Sequence, residues 1–234
     1  MLNKDRTVDR SHGMVPIKFD TITRFEGNPK DIQLIDDLLA EVNEQGYYVQ
    51  YYWFLKEMEL CDRYVYPIIK KYIGKFENEI YSVELISALG VPKMYEATEY
   101  LLDLYRNDRL REYRSTSPCS IRWAAANALF RIKDPNFQEE YRELIKTPGM
   151  SDGAWLLIGL LGKFKTQKNY DFLMEIAQDE SNVYCNFAIK ALGGFKNHAE
   201  EMIPLLEEYV KNDDYNIRHC AMGTLKKMKK YIVK

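Results

Sequence analysis

Histidine and cysteine are scarce in this chain, with three of the former and four of the latter among 234 residues. Their scarcity removes much of metal and redox chemistry. Cys61, Cys119, Cys185 and Cys220 lie far apart and form no C-x-x-C pair, so neither a zinc knuckle nor a redox motif is readable, and reduced, mostly packed thiols are expected. His12, His198 and His219 are scattered without metal-ligand spacing, and neither a G-x-S-x-G elbow nor a glycine-rich phosphate loop occurs. No catalytic residue, metal or cofactor is expected from these patterns.

Long apolar runs are also missing. The longest uncharged stretch, residues 45 to 55, is about half of the roughly 20 residues a membrane span needs. The opening "MLNKDRTVDRSHG" carries charges where a secretory leader would need apolar residues. A cytoplasmic chain without membrane contact is the expectation. Charge of one sign is lacking too: 33 Lys and Arg face 35 Asp and Glu, for a formal net charge of −2. No global basic field steers this chain to nucleic acid, so charge-driven binding must be local. The length is ample for a stable core without disulfide or metal staples.

What the chain does contain is a repeat. The stretch "SIRWAAANALFRIKD" from Ser120 recurs in degraded form as "GAWLLIGLLGKFK" from Gly153, "NVYCNFAIKALGGFK" from Asn182 and "NIRHCAMGTLKKMKK" from Asn216, with a weaker copy, "SVELISALGVPK", from Ser82. Leu89, Leu129, Leu161, Leu192 and Leu225 stand in register at spacings of 40, 32, 31 and 33 residues, a period that marks a repeat protein. Between these anchors lie amphipathic segments whose apolar residues step by three and four, such as Leu101, Leu104 and Tyr105, or Phe172, Leu173 and Ile176. Each repeat is therefore two helices. Asp134-Pro135, Thr147-Pro148-Gly149, Gly193-Gly194 and Asn212-Asp213-Asp214 fall between segments, where caps and breakers belong.

The alanines follow from that geometry. A helical hairpin buries its apolar stripe only against neighbours, and small side chains let an inner helix approach several others. Ala124, Ala125 and Ala128 share a face with Ile121 and Leu129, and Ala188, Ala191 and Ala221 recur in matching places. With its small-residue inner helix, Ile121-Arg122 and Ile217-Arg218 near two helix starts, and Ala88-Leu89-Gly90 and Ala191-Leu192-Gly193 at two ends, the chain resembles the HEAT-like repeat family over residues 77 to 231. The resemblance implies an all-α, right-handed α-solenoid of about five hairpins.

Residues 28 to 76 read as a divergent, aromatic-rich helical N-terminal cap, completing a single domain over 28 to 234, with 1 to 27 irregular. Its first helix begins with Asn28 as N-cap and Pro29 at the first helical position. There Ile35, Leu38, Leu39 and Val42 form one stripe opposite Asp31, Asp36, Asp37, Glu41 and Glu44.

Candidate functional residues come from register. Trp123, Trp155, Asn186 and His219 occupy one column across the repeats, and Asn127, Gly159, Lys190 and Gly223 occupy the next column along the same face. On HEAT-like geometry these columns line the concave, partner-binding surface; the alternative is that both tryptophans pack between helices. Arginine supplies a second candidate: Arg106, Arg109, Arg111, Arg114, Arg122, Arg131 and Arg142 are seven of the twelve in the chain. Their guanidinium forks suit carboxylates and phosphates, while Arg122 and Arg218 also read as ladder residues paired with acids in adjacent repeats. Gly90 and Gly193-Gly194 read as helix ends taking a left-handed residue. The C-terminal lysines 226, 227, 229 and 230, with Lys234, form a basic helix that could touch phosphate; the alternative is a solvated, dipole-matched helix end.

The resemblance implies a non-enzymatic protein-binding module of adaptor, regulator or toxin-neutralising type, as in bacterial HEAT-like proteins of this size, meeting an acidic or aromatic-rich protein partner. The expected partner-binding residues are Arg122, Trp123, Asn127, Arg131, Trp155, Asn186, Lys190, Arg218 and His219. The alternative is a nucleic-acid-binding protein, since the chain is similar in length and repeat style to the alkylpurine DNA glycosylases. A third reading, a bilin lyase subunit, rests on repeat style alone. The iron-binding His-Glu dipeptides of the HEAT-like deoxyhypusine hydroxylases do not occur, which sets that activity aside.

Overall fold

The computed structural model describes residues 28–51, Leu55, Glu59, residues 61–107 and residues 120–232. Among these residues the secondary structure is helical throughout, with no strand. The helices are α1 (Pro29–Glu44), α2 (Val65–Tyr72), α3 (Glu79–Ala88), α4 (Thr98–Arg106), α5 (Ile121–Ile132), α6 (Gln138–Lys146), α7 (Ala154–Phe164), α8 (Gln167–Gln178), α9 (Cys185–Leu192), α10 (Ala199–Tyr209) and α11 (Tyr215–Ile232). Short 3-10 turns at Tyr95–Ala97, Pro135–Phe137 and Lys196–His198 lead into α4, α6 and α10. No described helix is long and apolar enough to cross a membrane.

Helix starts follow from side chains that satisfy otherwise orphaned amides. Asn28 Oδ1 accepts from the Asp31 amide at 2.8 Å, with Pro29 in the first turn. Ser120 caps α5 through the Trp123 amide at 3.1 Å, and Asp214 caps α11 through the amides of Asn216 and Ile217.

α3, α5, α7, α9 and α11 pack each on the next in a row of inner helices. α4 lies against α5, α6 against α7, α8 against α7 and α9, and α10 against α11; α1 packs on α2, and α2 on α3. The anchor leucines Leu89, Leu129, Leu161 and Leu192 are buried in this row. Leu225 on α11 is half-buried and packs against the core. Covered by α3, α4 and α7, α5 buries not three alanines but four, Ala124, Ala125, Ala126 and Ala128.

Gly46 (φ 89) and Gly74 (φ 81) follow α1 and α2 in the left-handed region, but Gly90 and Gly193 do not take it. Gly193 has φ −57, and Gly90 is not among the positive-φ residues. A Cβ on Gly90 would lie 2.8 Å from Ala128 Cα, and one on Gly162 would lie 2.9 Å from the Ala191 carbonyl oxygen. These glycines let neighbouring inner helices approach. The left-handed positions beyond α5 and α7 fall instead on lysines, Lys133 (φ 57) and Lys165 (φ 53), with Lys93 (φ 68) following α3.

Asp31 also departs from its expected place on the polar face of α1. Fully buried, it accepts hydrogen bonds from the amides of Glu77 (2.8 Å) and Asn78 (2.9 Å), tying α1 to the start of α3. A carboxylate takes such a position only because two amide donors replace its water. In the aromatic-rich region Tyr72, Phe76 and Tyr81 are buried, whereas Tyr48 and Tyr64 are exposed. The Tyr72 hydroxyl donates to Glu41 at 2.6 Å, and that of Tyr47 donates to Asp62.

Cys61 and Cys185 are buried and Cys220 is half-buried, all as free thiols, while Cys119 lies outside the described residues. Burial pushes the Cys61 thiol up to about 12 and that of Cys185 up to about 11, which keeps both protonated and unreactive at neutral pH.

Candidate functional site

Packing against their neighbours leaves α5, α7 and α9 each one strip open. On α5 the residues that escape full burial are Trp123, Asn127, Phe130 and Arg131, spaced by one helical turn. On α7 the corresponding strip is Trp155, Gly159 and Lys163, and on α9 it is Asn186, Phe187, Lys190 and Ala191. These strips adjoin because α5, α7 and α9 are consecutive in the row.

Between them runs an open groove of about 630 Å³. Its apolar part consists of Phe130, Trp155 and Phe187; the rings of Trp155 and Phe187 lie 5.7 Å apart at 28°. Trp155 keeps 40% of its surface exposed even so. Gly159 makes room for Phe130, whose Cε2 lies 3.4 Å from where a Cβ on that glycine would sit. Gly162 and Gly194, small because α7 and α9 approach there, lower the floor.

The polar part is of one sign. Lys163, Lys165, Lys190 and Lys227 line the groove together with Asn127, and no described carboxylate does. All four lysines are exposed. None forms an ion pair with a described acid; the lysine pairs that do form, such as Lys229–Glu207 at 2.8 Å, lie elsewhere. Ammonium groups without described counter-charges beside a partly exposed aromatic pair can bind an anionic, partly apolar ligand.

Of the residues singled out from register, Asn127, Trp155 and Lys190 meet in this groove. Trp123 does not line it: half-buried, its side chain packs on the core. Asn186 faces a neighbouring recess shared with Glu180 and Asp214. His219 is exposed on α11 and stacks on Tyr215, ring centroids 5.7 Å apart.

The arginines disperse. Arg122 is 7% exposed, donating from Nε to the Tyr105 carbonyl and from Nη1 to the Gly149 carbonyl, each at 2.9 Å. Its fork therefore holds the end of α4 and the turn after α6. Arg218 donates to the carbonyls of Asn212 (2.5 Å) and Asp213 (3.1 Å). Arg122 thus ties its helix to carbonyls of the preceding and following hairpin segments, whereas the described acceptors of Arg218 lie in the turn just before its own helix, not on acids of an adjacent repeat. Arg131 pairs with Glu59 at 2.6 Å, and buried Arg142 bridges Glu139 (2.5 Å) and Asn169. Arg106 is exposed; Arg109, Arg111 and Arg114 lie outside the described residues.

Sequence reasoning missed Phe130, Phe187, Lys163 and Lys165, and it singled out Lys227 only as part of a basic C-terminal helix. One signal was available: the fourth residue after every anchor leucine is lysine, namely Lys93, Lys133, Lys165, Lys196 and Lys229. Lys196 lies 4.9 Å over the ring of Tyr231, and Lys229 pairs with Glu207; Lys165 enters the groove.

No family model matches this chain, and no curated protein matches it either. The functional reading rests on the geometry of the inner-helix face.

Proposed function

We propose that the chain is an α-solenoid of HEAT-like hairpins that acts as a non-enzymatic binding module, holding a protein partner against its inner helices. The observation that carries this reading is exposed Trp155, stacked on half-buried Phe187, in a groove whose lining lysines lack described counter-charges. Exposed aromatic surface rimmed by charge has the composition of an interaction hot spot. The packing of α3, α5, α7, α9 and α11 in sequence supports the solenoid, because repeat stacks present successive inner helices on one face.

Site-specific photo-cross-linking tests the reading. A photoreactive amino acid at Asn127, in the groove, is expected to trap a defined protein partner in native extract, and the same group at exposed Glu175 on α8 is not. Trp155→Ala should abolish the adduct. Equal trapping from both positions, or an adduct indifferent to Trp155, removes the groove as the working surface.

The nucleic-acid alternative draws support from the same lysines and rings. Against it, Trp155 and Phe187 occupy one another's faces, whereas single-strand binders offer free faces for bases to stack on. The absence of a global basic field also weighs against it.

A further inference from the structure

Resting on the binding-module reading, we infer that the groove between α5, α7, α9 and α11 recognises an acidic peptide segment carrying one apolar anchor side chain. Three observations lead there. The groove is lined by four lysines and no described carboxylate, although acids slightly outnumber bases in the whole chain. Charge complementarity therefore selects a carboxylate-rich occupant over a basic or neutral one.

The aromatic part sets the second requirement. Trp155 and Phe187 lie against each other, and Phe130 lines the same groove beside Gly159, so the stacked pair supplies one apolar patch. A patch of that kind takes a leucine, methionine or aromatic side chain laid upon it, and it excludes water once covered. Lysine in place of arginine sets the third. Ammonium groups on flexible stems impose no planar fork geometry, so recognition follows the number of acids near the anchor more than their order.

Lys165 makes the assignment separable from structure. It ends α7 in the left-handed region (φ 53, ψ 32), where glycine would sit without a steric penalty. A lysine in that conformation is retained at some expense to the fold, and its side chain lines the groove.

Fluorescence anisotropy on the intact protein provides the test, with four labelled probes of equal length: an Asp- and Glu-rich peptide with a central leucine, the same acids with serine at the centre, a lysine-rich peptide with the leucine, and oligothymidylate. The first should bind, with affinity falling as salt rises. The serine probe should bind about tenfold more weakly, the size of a modest hot-spot loss. Lys163→Gln combined with Lys190→Gln should weaken the first probe by about tenfold with an unchanged melting temperature, as for exposed sites. Lys165→Gly should weaken it severalfold while holding or raising the melting temperature.

Acidic and lysine-rich probes binding alike, or neither binding, overturns the inference. So does oligothymidylate binding more tightly through the same lysines, which would transfer the groove to nucleic acid. Cross-linking from Asn127 to a partner whose contact segment is not acidic would sink this inference and leave the binding-module reading standing; absence of both adduct and peptide binding sinks the two together.

Discussion

Trp155 of α7 and Phe187 of α9 stack across the seam between consecutive inner helices, their ring centroids 5.7 Å apart. The contact is the only place in the groove where side chains from two inner helices form a described aromatic pair. It joins the lining of the groove to the seam between the two helices that form it.

The two tryptophans in register should therefore respond differently to truncation. Trp155→Ala removes an exposed ring and one aromatic contact, and is expected to cost about 0.5–1.5 kcal/mol. Trp123 packs on the core, and Trp123→Ala should cost more than about 2 kcal/mol, toward the range of large-to-small core changes. Urea denaturation of both variants checks the order. A larger loss for Trp155 would contradict the exposed placement.

The glycines on α7 make an opposite pair. On Gly162 an added methyl meets the Ala191 carbonyl oxygen at 2.9 Å, so Gly162→Ala must push α7 from α9 and should destabilise by about 1–3 kcal/mol. On Gly159 the nearest atom is a movable ring carbon of Phe130 at 3.4 Å. Gly159→Ala should be neutral or gain up to about 1 kcal/mol from helix propensity. Thermal melts of the two variants, one turn apart on the same helix, separate packing from propensity.

Asp31 holds α1 onto the start of α3 through two backbone amides. Asp31→Ala leaves the amides of Glu77 and Asn78 without that acceptor and should cost about 2–4 kcal/mol, the loss of two hydrogen bonds to a charged group offset in part by water entry. Hydrogen exchange is the direct readout, with those two amides losing protection first. Retained protection would mean that another acceptor replaces the carboxylate.

Acid sensitivity follows from three carboxylates. Glu41 lies below its ordinary 4.5 because Lys71 and then the Tyr72 hydroxyl donate to it; Glu139 is lowered by Arg142, and Glu201 by His198 and then Tyr170. A carboxylate whose pKa is depressed on folding adds stability above its unfolded value and loses it as pH falls through the folded value. The melting temperature is expected to stay level through the neutral range, then to fall below about pH 4.5, with Glu41→Gln removing part of the slope. A decline that begins above pH 6 would point to other groups.

How much of this was legible in the sequence can be judged residue by residue. Asn28 announced its cap because an N-cap and a following proline are local signals, read within one turn. The helical content, the alanine-rich character of α5 and four buried anchor leucines followed from periodicity and side-chain size, which act along a single chain segment. The column of Asn127 and Lys190 emerged from register alone, and both residues line the groove.

Other assignments needed the neighbours. Arg122 and Trp123 are adjacent in sequence and alike in being large, yet one is buried with its donors on carbonyls from α4 and the turn after α6, and the other is half-open. Trp123 and Trp155 hold equivalent register and differ in burial. Asp31 looked like one acid among several on a polar face until Glu77 and Asn78 arrived from a distant part of the chain. The sequence by itself determined that helices form, where many begin, and which residues have the size to sit inside, because propensity, capping and periodicity are properties of a few consecutive residues. Only the tertiary structure decided which side of each helix stays open, that Lys163, Lys165, Lys190 and Lys227 share one groove, and which polar groups find buried partners, because exposure is set by which other helix covers a given face.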